Sequence, residues 1–210
     1  MKILALDSTL RRSSAAILSE NYVLGAASGE GSAALAALAA RALAASGLAA
    51  RDLDAVAATI GPGSFTGIRA GLALAAGLAL AAGIEVVGVS VAEAIAASLP
   101  DVPPERLWVA IDSRRGHVFL DRAGVLTTYA LASLPKPAGP VVLAGDAAEA
   151  VATFLGAEAR LAEIRLPDGT GVGRAAALRL GGRLPPRAAL PLYVDPPAAR
   201  PAEGARPSPA

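Results

Sequence analysis

The chain opens with short apolar runs separated by polar or turn-forming residues. Residues 3–6, 15–18 and 22–26 have the length and the flanking residues of β-strands, and Glu20-Asn21 between the last two favours a hairpin. Residues 32–46 are rich in alanine and leucine, which favours a helix. The pattern therefore predicts three strands followed by a helix.

Strand and helix patterns then alternate along the chain. The further predicted elements are a strand at 53–60, a helix at 64–82, a strand at 85–89 and a helix at 90–98. Ser90 and Glu93 have the spacing of a capping box at the start of the last helix. The order βββαβαβα predicts a meander followed by right-handed crossovers onto the same sheet.

The second half of the chain partly repeats the first. The apolar run that ends in Asp7-Ser8 recurs as a run that ends in Asp112-Ser113, and arginines, a turn and another apolar run follow both. Chance is the alternative explanation, because strands that end in aspartate are common. We favour duplication, since the context matches as well.

The predicted organisation is an N-terminal lobe at 1–103, a smaller C-terminal lobe at 104–195 and a disordered tail at 196–210. The C-terminal lobe also contains a predicted strand at 141–144 and helices at 146–155 and 173–180. The tail consists mainly of proline, alanine and arginine and has no apolar period.

Two lobes of the βββαβα type predict an α/β fold of the actin-like, ribonuclease-H-like duplicated class with mixed sheets, as in sugar kinases and the Hsp70 ATPase. In those proteins a nucleotide lies between the lobes, and acidic residues of both first strands face a metal. By analogy, Asp7 and Asp112 mark a vestigial nucleotide cleft. We favour structural carboxylates over metal ligands, because Ser8-Thr9-Leu10 and Ser113-Arg114-Arg115 replace the glycines that let a backbone approach phosphate.

Composition narrows the classes of function. The 19 basic and 18 acidic residues leave a net charge of +1, so no strong field attracts nucleic acid or membrane. The absence of cysteine and the single histidine, His117, exclude disulfides, thiolate nucleophiles and a histidine pair on a metal. The uncharged stretch at 70–84 is shorter than the about 20 residues of a membrane-spanning helix. We expect a cytoplasmic protein with no membrane partner, no metal and no cofactor.

The segment GPGSFTGIRAG at 61–71 carries the most information, because it joins a predicted strand to a predicted helix. Its glycines permit a tight turn, and Ser64 is the natural N-cap. No Gly-Lys-Ser/Thr follows as in a P-loop, and Thr66 replaces the third glycine of a dinucleotide fingerprint. Ser64 also has no recognisable base that would make it a nucleophile.

The helix that follows this loop is apolar on every side. Small residues recur at Gly67, Gly71 and Ala75, and Leu72 and Ala76 extend the apolar surface to the opposite side. The two helices of the first lobe either bury each other or form a four-helix contact with a second subunit, which we favour. The predicted interface residues are Leu35, Leu38, Ala39, Ala42, Gly67, Gly71, Leu74, Ala75 and Leu78.

These residues resemble the bacterial TsaB (YeaZ) family. The resemblance rests on GPGSFTGIRAGLALAAGLAL at 61–80, on residues 3–9, on residues 111–118, and on the Pro-x-Tyr ending at Pro191-Leu192-Tyr193. The chain departs from the family pattern in a reduced polar stretch at 29–33 and a short second lobe between Asp121 and Val141. The loop of the family motif comprises Gly61, Pro62, Gly63, Ser64, Phe65, Thr66 and Arg69.

The resemblance implies a non-catalytic scaffold required to make threonylcarbamoyladenosine next to the anticodon of tRNA. Such a subunit binds a TsaD-type catalytic subunit through its N-terminal-lobe helices, and a TsaE-type ATPase joins the pair. It forms a homodimer when alone and meets tRNA indirectly through the complex. The implied protein is thus a pseudoenzyme with no catalytic residues of its own.

Two other functions remain open. An actin-like-fold, nucleotide-binding ATPase or phosphotransferase suits the fold, but the missing loop glycines weigh against it. A metallopeptidase is suggested by distant resemblance to glycoprotease-type sequences, but one histidine and no cysteine weigh against that.

Overall fold

The computed structural model describes residues 1–20 and 22–194, so the predicted tail at 196–210 lies outside the described residues. The first lobe contains a five-stranded sheet in the order β3-β2-β1-β4-β5. Its strands are β1 (Lys2–Asp7), β2 (Arg12–Ser19), β3 (Tyr22–Glu30), β4 (Ala55–Gly61) and β5 (Glu85–Ser90). The helices of this part of the chain are α1 (Leu35–Ser46), α2 (Phe65–Ala82) and α3 (Val91–Ser98). The predicted βββαβαβα order is confirmed.

The second lobe repeats this topology with the strand order β10-β9-β6-β7-β8. Its strands are β6 (Leu107–Asp112), β7 (His117–Arg122), β8 (Val125–Ala130), β9 (Val141–Ala144) and β10 (Ala159–Leu161), and the helices that follow β9 and β10 are α4 (Ala148–Leu155) and α5 (Gly169–Leu180). In each lobe the first strand pairs antiparallel with the second and parallel with the fourth. A single helical turn at Leu131–Ser133 stands where the first lobe has α1, which accounts for the shortened segment before β9.

Side chains of β1 alternate between two cores, as the period of a strand requires. Leu4 and Leu6 are buried on the side that α1 and α2 cover. Ile3 and Ala5 are buried on the opposite side, where α5 packs. Because both faces of β1 are covered, its sequence is a continuous apolar run.

Helix α5 belongs to the predicted C-terminal lobe by sequence, but it packs against β1 and β2 of the first sheet. The helix begins at Gly169, earlier than predicted, and the Asp168 carboxylate accepts a hydrogen bond of 2.8 Å from the Gly171 N–H. A Cβ on Gly169 would lie 2.6 Å from the backbone nitrogen of Ala16. Glycine therefore allows the helix to reach the sheet, and the same residues weaken its helical pattern in the sequence.

Helix α2 is long and apolar enough to cross a membrane by length and composition alone, with 18 residues and a mean hydropathy of 1.6. In this fold, however, it connects the adjacent parallel strands β4 and β5. Its buried residues pack over the sheet, so α2 is a layer helix of an α/β lobe.

A buried ion pair joins three separate parts of the chain. The Arg179 guanidinium of α5 contacts the Glu93 carboxylate at 2.6 Å and donates to the carbonyls of Gly88 and Pro185, each at 2.7 Å. The Ser90 N–H donates to Glu93 as well, which confirms the predicted capping box. Burial alone would raise the pKa of Glu93, but the bonds from Ser90 and Arg179 hold this pKa below its ordinary value.

We predict that Arg179→Met lowers the free energy of unfolding by about 3 kcal/mol, because it removes the closest cation from the Glu93 carboxylate and leaves two carbonyls without their donor. Arg174→Met on the same helix is the matched control and should change it by less than about 0.5 kcal/mol. Urea unfolding followed by circular dichroism measures both. Equal effects of the two substitutions would show that the ion pair does not hold α5 in place.

Candidate functional site in the cleft between the lobes

A cleft of about 840 Å³ separates the two lobes. The turn after β1 and the first turn of α2 form one wall, and the turn after β6 forms the other. Residues 192–194, at the end of the described chain, also contribute. The side chains that the cleft exposes include Arg11, Phe65, Thr66, Arg69, Asp112, Arg114, Arg115, Phe119, Asp146 and Tyr193.

The glycines of the family motif hold the turn after β1 against α2. The carbonyl oxygen of Thr9 accepts a hydrogen bond of 2.7 Å from the Ser64 N–H, and a Cβ on Gly63 would lie 2.3 Å from that oxygen. A Cβ on Gly67 would lie 1.8 Å from the carbonyl oxygen of Ser8, whose hydroxyl donates to the Gly67 carbonyl at 2.7 Å. We call this contact of Gly63 and Gly67 with Ser8 and Thr9 the glycine clasp. It explains why the motif needs glycine at these positions.

Most predicted interface residues lie in the chain's own core. Leu35, Leu38, Ala39, Ala42, Gly67, Gly71 and Ala75 are buried, and Leu74 and Leu78 are half-buried against the same core. The reason is that the glycine face of α2 packs on the turn after β1, while the apolar side of α1 packs on β2 and β3. This finding corrects the assignment of the seven buried residues to a surface interface, while the assignment of Leu74 and Leu78 stays a prediction.

The opposite side of α2 is exposed. We call it the outer face of α2, and it consists of Thr66, Arg69, Ala73, Ala76, Gly77 and Leu80. Leu80 is 86% exposed, and the four residues from Ala73 onward carry no charge. The described chain thus leaves an apolar helix surface uncovered, beginning at the cleft and running away from it.

Asp7 is fully buried and does not line the cleft, contrary to its predicted place there. Its Oδ1 accepts hydrogen bonds of 2.7 Å from the hydroxyls of both Thr9 and Thr59. Its Oδ2 has no partner among the described residues. Burial raises the pKa of this carboxyl above its usual value, although the threonine hydrogen bonds oppose the shift. The side chain is therefore a structural tie between β1, its turn and β4.

Asp112 does line the cleft, but an arginine of its own lobe binds it. Arg114 approaches Asp112 at 3.6 Å and Asp146 at 2.9 Å, and the Asp112 N–H donates to Asp146 at 2.9 Å. Burial raises the pKa of Asp146, against the hydrogen bond from Asp112 and the charge of Arg114. Within residues 1–20 and 22–194, no group of three or more carboxylates or histidines has the arrangement of a metal site.

Phe65 and Arg69 of the motif form a cluster of stacked planar groups in the cleft with Tyr193 of the Pro-x-Tyr ending. The rings of Phe65 and Tyr193 stack with centroids 5.8 Å apart, and the Arg69 guanidinium lies 3.7 Å from the Phe65 centroid. Arg69 also donates to the Tyr193 hydroxyl at 3.0 Å. The Leu192 N–H bonds to the Ile60 carbonyl at 2.8 Å, so the Pro-x-Tyr ending docks beside the motif loop.

The motif loop lies at a turn between β4 and α2, as its sequence predicts, whereas no sequence pattern assigned Arg11, Asp146 or Tyr193 to the cleft. For Tyr193 the Pro-x-Tyr ending, which resembles that of the TsaB family, was a usable sequence signal. Asp146 lies just before α4 and comes near Asp112 only through the pairing of β9 with β6.

Comparisons with known proteins agree with this geometry. The model of a family described as TsaD: tRNA N6-adenosine threonylcarbamoyltransferase matches residues 25–158. YeaZ from Pseudomonas aeruginosa has a TM-score of 0.77 at 24% identity, covering 92% of this chain and 99% of that chain. A protein from the same organism described as similar to peptidase YEAZ has a TM-score of 0.76 at the same identity and coverages. No curated protein matches significantly.

A more distant structural neighbour is component A of (R)-2-hydroxyglutaryl-CoA dehydratase from Acidaminococcus fermentans. Its TM-score is 0.51 at 12% identity, covering 87% of this chain and 99% of that chain. The structural neighbours show the fold alone. Together with the family match, they confirm the predicted two-lobed actin-like fold and the resemblance on which the family prediction rests.

We predict that Gly67→Ala lowers the free energy of unfolding by about 1–3 kcal/mol or more, because its Cβ would overlap the Ser8 backbone. Gly77→Ala on the same helix meets nothing within 4 Å and should raise stability by about 0.5–1 kcal/mol. Thermal and urea unfolding of the two variants test the glycine clasp. If both alanines stabilise the protein, the clasp is not a tight contact.

We also predict a pH-dependent effect of Asp7→Asn. The folded-state pKa of Asp7 lies above the ordinary value of 3.8, so its contribution to stability is fully present below pH 3.8 and is lost as pH rises through the folded pKa. The stability of Asp7→Asn relative to wild type should therefore grow with pH above 3.8 and then level off. Its total growth is about 1.4 kcal/mol per pH unit of pKa shift. Urea unfolding at a series of pH values measures this difference, and a constant or falling difference would contradict the assignment.

Proposed function

Because this chain belongs to the TsaD family of tRNA N6-adenosine threonylcarbamoyltransferases, we propose that it serves tRNA modification as a TsaB-type subunit without transfer chemistry of its own. In this proposal it binds a TsaD-type catalytic subunit, and a TsaE-type ATPase joins the complex. It acts in the cytoplasm, pairs with itself when the partner is missing, and meets tRNA through the complex.

This proposal rests on the contacts that the chain's own residues make with the aspartates at the ends of the two first strands. Asp7, at the end of the first strand, is bonded to two threonines, and Asp112, at the equivalent position of the second lobe, is bonded to Arg114. The glycine clasp covers the turn after Asp7. These contacts support a binding role, because a carboxylate that is buried or paired in this way is poorly placed to coordinate a metal.

The outer face of α2 supports the choice of partner surface. Its small residues let a second helix approach toward the short end of the 8–10 Å range of helix separations. Exposed alanines of α1, Ala36, Ala37, Ala40 and Ala44, add a second helix surface of small side chains on the same lobe, with the exposed Arg41 at its edge. A pair of such helices suits a four-helix contact with a related subunit or a second copy.

A nucleotide-binding ATPase or phosphotransferase remains the alternative function, since the cleft of about 840 Å³ is large enough for a nucleotide. A metal-dependent ATP hydrolysis rate of the isolated chain that disappears in Asp7→Ala would favour this alternative. The metallopeptidase function gains nothing from the described residues.

We predict that Ala73→Glu with Leu80→Glu weakens both self-association and binding of the TsaD-type subunit at least tenfold, about 1.4 kcal/mol, because it places charges in an apolar contact. Val125→Glu on β8 is the matched control, since Val125 is 62% exposed in the other lobe. Size-exclusion chromatography with light scattering, with and without the partner, measures the effect.

Circular dichroism must first show that the double variant is folded. We expect that it is, because both substituted positions are exposed. A folded double variant that self-associates and binds the partner like wild type would remove α2 from the interface. Failure of the wild-type chain to bind any TsaD-type subunit from the same source would contradict the proposed function itself.

A further inference from the structure

The cleft is lined by arginines from both lobes. Arg114 is bound to Asp112 and Asp146. Arg11, Arg69 and Arg115 line the same cleft and form no ion pair with any carboxylate of residues 1–20 and 22–194. The cleft therefore offers three guanidinium groups without a carboxylate partner on two facing walls. Its four arginines and two aspartates leave a net charge of +2, which suits a ligand with more than one negative charge.

Aromatic surface lies beside these arginines. Phe65 is 51% exposed and Tyr193 is 43% exposed, although the two rings stack on each other. Arg69 adds a planar cation over Phe65. Rings and guanidinium groups of this kind stack on nucleobases without regard to base identity.

The hydrogen bonds of the backbone N–H groups around the cleft bear on whether a free nucleotide or a nucleic acid chain fits it better. Loops that cradle the polyphosphate of a free nucleotide present unbonded N–H groups. Here several N–H groups of the loops that line the cleft are already used: Thr9 donates to Asp7, Ser64 to Thr9, Arg114 to Asp112, and Arg115 to Ser113. Separate arginines that face each other across an open cleft instead suit phosphates spaced along a chain.

We propose that the cleft binds a single-stranded segment of RNA directly. Arg11 and Arg115 bind successive phosphates from opposite walls, while a base stacks on the cluster of Phe65, Arg69 and Tyr193. This site deepens the proposed function, on which it rests for the presence of RNA, and adds a direct contact to a role that otherwise meets tRNA through the partner. A single strand is the fitting form, because its unstacked bases can enter a cleft and reach aromatic side chains.

The test uses the isolated full-length chain and a fluorescent single-stranded hexaribonucleotide, with binding followed by anisotropy. Affinity should fall with salt, with a log–log slope of about −1.4 for two phosphate contacts. Arg11→Gln with Arg115→Gln should lose at least about tenfold in affinity and show a shallower slope. The matched control is Arg51→Gln with Arg160→Gln, which removes the same charge from exposed positions outside the cleft and should bind like wild type.

A second pair of variants tests stacking. Tyr193→Ala should weaken binding about fivefold or more, whereas Tyr193→Phe keeps the ring and should bind like wild type. Equal losses in the two arginine double variants would show unspecific charge attraction and overturn the proposal. It would also be overturned if an adenosine mononucleotide or a duplex RNA competed as strongly as the single strand.

The failure of this inference is distinguishable from failure of the proposed function. If the wild-type chain binds the TsaD-type subunit but not the hexaribonucleotide, the RNA site is excluded and the subunit role stands. If it binds the hexaribonucleotide in the cleft but no such partner, the RNA site stands and the subunit role is excluded.

Discussion

The approach of Gly67 to the carbonyl oxygen of Ser8 is the constraint on which the rest of the first lobe depends. A Cβ at this position would lie 1.8 Å from that oxygen, so α2 can take its place over the sheet only with glycine there. Once the helix is so placed, Gly63 meets Thr9, and the turn after β1 is closed. The same placement decides which side of α2 is buried and which side is left to solvent.

The two lobes have the same topology, but they differ in how the aspartate at the end of the first strand is held. Both first strands end in Asp-Ser, and both aspartates occupy equivalent places in sheets of the same strand order. In the first lobe the carboxylate is buried under threonines, while in the second it is half-buried and paired with Arg114. The carboxylate at the end of the central strand is therefore held by burial and hydrogen bonds in one lobe and by an ion pair in the other.

Much of the fold follows from local patterns, because the first eight elements of the chain have clear periodicity and because Ser64 and Ser90 cap the starts of α2 and α3. The start of helix α5 is harder to predict, because Gly169, Gly171 and Gly173 lower its helical propensity while allowing close contacts with the sheet and with α3. The small residues of α2 correctly indicated a close backbone approach. A helix that is apolar on every side, however, does not reveal whether its glycine face meets its own chain or a partner, and here it meets Ser8. The assembly of Asp112 with Asp146 depends on long-range strand pairing, which a single sequence does not specify.

The C-terminal end of the described chain connects these features. Arg179 fixes the carbonyl of Pro185, the Arg187 guanidinium contacts Glu93 at 3.2 Å, and the Leu192 N–H bonds to the end of β4. These anchors bring Tyr193 to Phe65 and Arg69, although 124 positions separate Arg69 from Tyr193 in sequence. Arg69 belongs both to this aromatic cluster and to the outer face of α2. A subunit that docks on that face therefore lies next to the cleft. Because Arg69 belongs to both surfaces, docking there changes the surroundings of a side chain that also lines the cleft.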